Sequence, residues 1–455
     1  MKGVIQMAKG TRAFWVIALL TLALVSLVSA NITITWWINP WRIAPPGFPS
    51  DQAPTSEDYP KWVSEEFMRL NPGVKVEYVV VGNAEYSQKM AAAIATRTQP
   101  DFFKGPVWDS RWVRAGLLEM IDPYLTAEDW EDFYDAILEE GKIGDHYYIW
   151  PWNFGTNGMG TSMLLYTPHF EEAGIDWRKI VEEGWTMEEF VEICKKLTFD
   201  STGDGVVDRF ALSFGAKDTH NLLNFIYAFG GELTNGDETV VTFNTPEAVA
   251  GLQFLIDLVN VHRVAPRGVE AMGIYDVIGN FHAHNTSIGF GGPYEIGRID
   301  RYLKEGRISE EFFPVVAPFP HVEGREAVAY TTGSGFIIFR QPDQAKRDMV
   351  FEFIRFLTNQ ENLALLETLQ YVTARDSVNQ TLYLDDPYMN VQVQRFSDIM
   401  AHYGRPFFGS QEFPWSQIND HFIAALEGAF SGTKSPQRAL DDFVNEANRI
   451  IQRLR

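Results

Sequence analysis

An α/β fold divided into two bodies is what this sequence predicts, and three observations carry it. The chain has 455 residues, more than one hydrophobic core usually serves, so two domains of roughly 150 to 220 residues are expected. β-Branched runs alternate with helix-period segments from the first strand onward, the order that builds doubly wound parallel sheets. Between the bodies lies Tyr147 to Tyr166, YYIWPWNFGTNGMGTSMLLY, in which two tryptophans flank a proline and glycines follow. Large aromatic faces are costly to order unless something packs on them, and glycines beside them mark a change of chain direction. The stretch is expected to line an interdomain cleft, although an aromatic core edge closed by a glycine turn would use the same residues.

The chain opens with Lys2, Lys9 and Arg12, then an uncharged run from Ala13 and small residues up to Ala30. This is the layout of a secretory signal peptide over residues 1–30, cleaved near Ala30. The alternative is an uncleaved anchor, for which a run of about 18 residues is borderline. The single cysteine, Cys194, sits at helical spacing in EEFVEICKKL, far from the cleavage region. It reads as buried filler, with no disulfide framework and no acylatable cysteine beside the signal. A periplasmic or secreted protein without a lipid anchor, and a monomer, is the expectation. A net charge of −22 argues against nucleic acid or an anionic membrane as partner, since phosphate binding needs clustered Lys and Arg.

Taken in order, Asn31 to Trp37, NITITWW, alternates and is β-branched, so it reads as the first strand. The Pro-rich stretch after it excludes regular structure, and places Trp41 and Arg42 beyond the carboxyl edge of a sheet, where α/β folds bind ligands. Tyr59 to Leu70 has helical periodicity, NPG at Asn71 to Gly73 stops it, and VKVEYVVV follows as a strand. Ser87 to Thr96 forms the next helix and Phe102 centres a short strand. Helices are expected over Arg111 to Leu118 and over Ala127 to Glu140, the latter capped by Thr126. After the aromatic crossing, Met163 to Tyr166 is a strand and Pro168 to Ala173 a helix. Thr186 caps MEEFVEICKKL with Glu189 completing a capping box. Helices over Asn221 to Phe229 and Pro246 to His262 continue the second body, and no internal repeat is visible.

These stretches together resemble a known family. EEFMRLNPGVKVEY, TQPDFF, GLLEMIDPYL, GDHYYIWPW, LLYTPHFEEAGI, GWTMEEFVEICKKLT, IGFGGPYEIG, the PVVAPFPHVEGREAVAYTTGSGFIIF strand pair and AALEGAFSGTKSPQRALDDFVNEAN occur in the order found in extracellular solute-binding proteins of ABC sugar importers, the maltodextrin-binding type. The resemblance implies the two-lobed periplasmic-binding-protein fold, α/β with a doubly wound sheet in each lobe, joined by hinge crossings. It places one lobe at 31–150 plus 318–358 and the other at 151–317 plus 359–455. It implies a sugar or oligosaccharide as ligand, delivery to ABC permease subunits, and no enzymatic activity. The Pro-rich loop from Pro40 to Pro60 and TNGMGTSMLLYT depart from the family pattern, so sugar identity does not transfer.

A sugar offers apolar C–H faces and a rim of hydroxyls, which calls for flat aromatics and planar polar groups. The matching motifs place the family's aromatic residues on Tyr294 and Trp415. Trp37, Asn39, Trp41 and Arg42 follow the first strand, Lys104 and Trp108 follow the third, and Trp152 and Asn153 line the crossing. Asn224 and Tyr227 come from the second lobe. Each of these residue types also occurs as ordinary packing. Arg42, Lys104, Arg375 and Arg405 would favour an acidic ligand if two or more faced the cleft, and would otherwise pair with the chain's many carboxylates. A polyol or other solute is the remaining cargo alternative.

The stretch DSTGDGVVD offers oxygens from Asp200, Thr202, Asp204, Val206 and Asp208 at calcium-loop spacing, with Gly205 at the sixth position. Ala211 stands at the twelfth, where a bidentate Glu would be expected, so a structural calcium ion needs a carboxylate from elsewhere; a plain Asx/Gly turn has the same spelling. No other cofactor is implied. The enzyme alternative, a secreted carbohydrate hydrolase, lacks a paired acid and nucleophile motif, and His282 and His284 have the wrong spacing for a helical metal site and fit a turn.

Overall fold

Alternation in ITITWWI sends Ile34, Trp36 and Ile38 into one core and leaves Trp37 on the opposite face. The computed structural model describes residues 32–105, 110–154, 161–200, 202–235, 239–308, 312–331, 333–406 and 413–454. The expected signal peptide, residues 1–30, and Trp108 lie outside them. The strands are β1 (Ile32–Ile38), β2 (Val74–Val80), β3 (Phe102–Lys104), β4 (Lys142–Ile143), β5 (His146–Tyr147), β6 (Ile149–Phe154) and β7 (Met163–Leu165). They continue with β8 (Phe210–Leu212), β9 (Thr286–Phe290), β10 (Val315–Ala317), β11 (Ala329–Thr331), β12 (Gly333–Ile338) and β13 (Gly404–Pro406).

Two sheets organise the chain, one in the order β2-β1-β3-β12-β6 and one in the order β10-β7-β9-β8. β1 runs parallel to β2 and β3, and β8 parallel to β9, as strand-helix-strand alternation predicts. The sheets are nonetheless mixed, because β12 is antiparallel to β3 and β6, and β7 to β9 and β10. The reason is the route of the chain: β12 enters at the carboxyl edge of β3 and therefore runs against it. Residues 372–374 extend the same sheet along β6, with Phe154 N–H donating to the Val372 carbonyl at 3.1 Å and Ala374 N–H to the Trp152 carbonyl at 3.0 Å.

On one face of the first sheet Trp36, Phe102, Phe336, Trp150 and Trp152 pack against the helices Asp58–Leu70 and Gln344–Leu357, where Phe67 and Phe353 meet at 4.6 Å. The other face carries Phe103, Ile337 and Ile149 under Tyr86 and Met90 of the helix Asn83–Thr96. The second sheet is wrapped by Met187–Leu197, Thr219–Ala228, Pro246–Asn260, Trp415–Phe430 and Pro436–Leu454. Thr186 and Glu189 form the expected capping box, and Cys194 is fully buried. Among the described residues no helix is long and apolar enough to cross a membrane.

Two helices end earlier than periodicity suggests. The segment expected as one helix over 127–140 splits into Ala127–Asp132 and Asp135–Glu140, with Phe133 and Tyr134 extended between them. Both aromatics are buried there, and Phe133 bridges Arg375, so tertiary packing overrides local propensity. The helix expected from Arg111 to Leu118 spans only Ser110–Arg114, since Gly116 takes φ +69° and Leu118 bridges Phe339.

The junction of β6 and β12 turns on Gly335, where the register shifts. A Cβ there would stand 2.1 Å from the Trp150 carbonyl oxygen. Gly335→Ala is therefore expected to lower stability by about 2 kcal/mol or more, read from the midpoint of urea unfolding with unchanged slope.

Candidate functional site

Three parallel strands of the first sheet deliver their carboxyl ends to one place. Asn39 follows β1 and donates its N–H to the Lys104 carbonyl at the end of β3, at 3.0 Å. β6 runs in the same direction and brings in Trp152. In the second sheet the parallel pair β8 and β9 leads to Asp218, at the start of the helix Thr219–Ala228, and to Tyr294, at the start of the helix Pro293–Lys304. Carboxyl ends of such strands are where α/β sheets hold ligands, because the loops there are free to vary above a fixed frame.

Aromatic rings join the two ends. Trp41 lies 5.0 Å from Trp152 and 5.1 Å from Tyr371, and Tyr371 stacks at 6.3 Å and 25° on Tyr294. Asn39 fixes the Trp41 indole, its Oδ1 accepting from Nε1 at 2.7 Å. Lys104 is 2% exposed, with Nζ 4.3 Å from the Trp41 ring centre and 5.4 Å from that of Trp152. No carboxylate pairs with it among the described residues, and burial pulls its pKa down to about 7. The Trp152 Nε1 donor is likewise buried without a hydrogen-bond partner among the described residues.

The second end is built from acceptors. Asp218 is 2% exposed, and Oδ2 accepts from Asn221 Nδ2 at 2.5 Å. Its Oδ1, and Oδ1 of Asn221, are buried with no partner among the described residues. Burial pushes the Asp218 pKa up to about 7. Burial and then the neighbouring carboxylates, Glu295 and Asp218 among them, raise the Tyr294 phenol. Thr219 Oγ1 donates to Asn419 Oδ1 at 3.2 Å, and Asn419 lies one turn beyond Trp415 on the same helix, so Trp415 belongs to this side. Asn224 Oδ1 accepts from Tyr330 N–H at 3.0 Å, and the Arg405 guanidinium lies 4.5 Å above the Tyr227 ring.

Thus Asn39, Trp41, Lys104, Trp152 and Tyr294 form one connected cluster, and Asn224, Tyr227, Arg405 and Trp415 stand around the second end. Trp37 and Arg42 are not brought to it. Strand alternation turns Trp37 to the other face of β1, edge-on to Tyr86 at 6.5 Å, and Arg42 points outward beside the buried Trp41 and Ile43. Asn153 Nδ2 donates to the Phe154 carbonyl and its Oδ1 lacks a partner among the described residues. Two of the cations weighed for an acidic ligand are neutralised: Arg375 by Asp129 and Asp132, and Arg405 by Glu232 through two hydrogen bonds of 3.2 and 2.6 Å. Tyr371, Asp218 and Asn221 were not singled out from the sequence. Asp218 carries the signal of a helix N-cap, which conceals any other use; Tyr371 carries none.

In the loop from Asp200 to Asp208, Asp200 accepts N–H bonds from Thr202, Gly203 and Gly205, as an Asx turn does. Among the described residues no three acidic, His or Cys side chains converge as metal ligands. His282 ends the helix Ile274–His282 and meets Glu295 Oε1 at 2.9 Å, while His284 takes φ +59° in the turn that follows. Both line a surface cavity of about 600 Å³ with Tyr302 and Arg307, apart from the aromatic cluster.

Comparison with known proteins agrees with this architecture. At 24% identity over 335 residues the chain is similar to a maltotriose-binding protein of Pyrococcus abyssi, the match covering 71% of this chain and 64% of the relative. A cyclic α-maltosyl-1,6-maltose binding protein from Arthrobacter globiformis superposes with a TM-score of 0.71 at 18% identity, over 93% of this chain and 99% of that one. A maltose/maltodextrin-binding domain from Bdellovibrio bacteriovorus, bound to maltotriose, gives 0.61 at 17% identity over 92% and 100%. These likenesses establish the two-lobed periplasmic-binding-protein fold. The profile of the bacterial extracellular solute-binding proteins matches residues 52–364, and the chain belongs to that family.

Proposed function

We propose that this protein binds a sugar or oligosaccharide between its lobes, closes over it by hinge motion and passes it unchanged to the permease subunits of an ABC importer. One observation carries the reading: flat aromatic rings and unsatisfied buried polar atoms share the place where both sheets end. Rings stack on sugar C–H faces, and the free donor and acceptors match hydroxyls. The sugar-binding relatives support it. The lobes are assigned as 31–150 plus 318–358 and 151–317 plus 359–455, except that the rest of β6, through Phe154, and residues 372–374 lie in the first sheet and so go with the first lobe, which puts the crossing between Phe154 and Met163. The protein acts as an exported monomer, cleaved near Ala30; Cys194, buried in the core, is no attachment point for lipid. It is a carrier rather than an enzyme.

A panel of oligosaccharides tests this directly. A bound sugar raises the melting temperature and is recovered chemically intact, whereas products in the mixture would make the protein a hydrolase. Trp41→Ala, Tyr294→Ala and Trp415→Ala are each expected to weaken the best-bound sugar about tenfold or more by calorimetry while the fold survives.

The unpaired charges set a pH dependence of the ligand-free protein. Lys104 has a folded pKa of about 7, below the usual 10.5. Its burial penalty is full below pH 7 and vanishes as pH rises toward 10.5, because only the unfolded chain then keeps the proton. Asp218, raised from 3.8 to about 7, behaves oppositely: its penalty grows as pH rises from 3.8 to 7 and is full above that. Lys104→Met is expected to melt several degrees above the parent near pH 6, and Asp218→Asn above the parent near pH 8 but level with it near pH 4. Melting curves at the three pH values check both.

For the 200–208 loop the proposal is a structural calcium ion, which requires a carboxylate from outside the loop and displacement of the N–H donors now on Asp200. Asp204→Ala is expected to lower the melting temperature only with calcium present; identical melting of the parent in calcium and in chelator removes the ion.

A further inference from the structure

We propose that the ligand is an anionic glycan, a uronic acid-containing sugar whose carboxylate is received by Lys104 and the Trp152 indole N–H while its hydroxyls donate to Asp218 and Asn221. The inference rests on the sugar-binding reading above and narrows its substrate class.

The argument begins with what the chain leaves undone. It carries 60 acidic residues against 38 lysines and arginines, so carboxylates are abundant. Arg355 and Arg375 each take Asp129, Lys346 takes Asp101, and Arg405 takes Glu232. Of the four cations considered from the sequence, only Lys104 stands in the aromatic cluster, so a single cation rather than a pair favours an acidic ligand. It is more buried than any of the paired cations and takes no carboxylate among the described residues. Two indole faces hold it instead, at 4.3 and 5.4 Å. A cation over aromatic rings gains attraction from their quadrupoles but still lacks a hydrogen-bond acceptor. Leaving it so is expensive in a dry setting unless an anion arrives to complete the site.

The neighbouring orphan points the same way. Trp152 Nε1 is a donor with no acceptor among the described residues, on one of the two rings that hold the ammonium. The first end therefore offers a cation and an N–H and is short of acceptors. The second end has the reverse deficit, Asp218 Oδ1 and Asn221 Oδ1 being acceptors short of donors. A neutral sugar would satisfy the second end through its hydroxyls and leave the ammonium without a counter-charge. A uronate supplies both, with the Trp41, Tyr371 and Tyr294 rings between the ends to stack on the sugar faces. One ammonium and one N–H suit a monoanionic carboxylate; a phosphate dianion would want a guanidinium fork, and Arg375 and Arg405 are already paired.

The test uses matched disaccharides that differ only at C6 of the terminal residue, in the uronate, neutral hexose and 6-phosphate forms, titrated calorimetrically into the purified protein in both α-1,4 and β-1,4 series. The uronate is expected to bind about tenfold or more tighter than the neutral sugar, and that ratio to fall toward one in Lys104→Met and to shrink severalfold in Trp152→Phe, which keeps the ring and loses the N–H. Melting curves of the variants verify their fold, and the parent's ratio stands as a test independent of both. A neutral sugar binding as tightly as the uronate, a ratio unchanged in Lys104→Met, or a preference for the 6-phosphate overturns the proposal while leaving sugar binding intact. Binding of none of the three overturns the sugar-binding reading as well.

Discussion

The contact between the Trp41 and Trp152 indoles is the constraint on which the rest of the site depends. Trp152 is locked in the first core by Tyr59 and Phe336, while Trp41 rides on an irregular segment with no strand or helix of its own. Packing the second on the first, with Asn39 holding its N–H, turns a loop into a wall. Only then does Lys104 have two faces to lie between and Tyr371 a plane to meet. Large rigid rings do this at low entropic cost, since each fixes only two side-chain torsions.

Paired and unpaired charges divide the molecule by task. Arg375, between Asp129 and Asp132 and over the Phe133 ring, ties residues far apart in sequence and closes the break between the two short helices. Burial works to raise the Asp129 carboxyl, but the Arg375 guanidinium and the Thr126 donors together hold it below its ordinary range. Lys104 and Asp218 are displaced toward neutrality by burial alone or nearly so. Groups left in that state reduce stability, and they persist where they face something other than the protein itself.

Much of the frame was legible in the sequence because it follows from periodicity. ITITWWI, VKVEYVV, the Thr186 capping box and the helices at 58–70 and 246–260 follow from alternation, 3.6-residue spacing and capping alone. The direction of β12 and the split at Phe133 were not, because each is set by a partner distant in the chain. Site residues were legible where they stand just past a strand end, as Asn39, Trp41 and Lys104 do. Trp37 shows the limit of that rule: one position along a strand reverses the face. Tyr371 and Asp218 become visible only once the chain has returned from the other sheet, since nothing in LQYVTARD or AKDTHN distinguishes them locally.

Cys194 has a practical meaning beyond packing. It is the chain's single thiol, lies at 0% exposure and has its pKa driven well above the ordinary value by burial. Alkylating reagents need an accessible thiolate, so a maleimide dye added to the native fold meets no competing target. A cysteine introduced on the surface of either lobe would be labelled alone, and opening and closing could be followed by fluorescence without first removing a native residue.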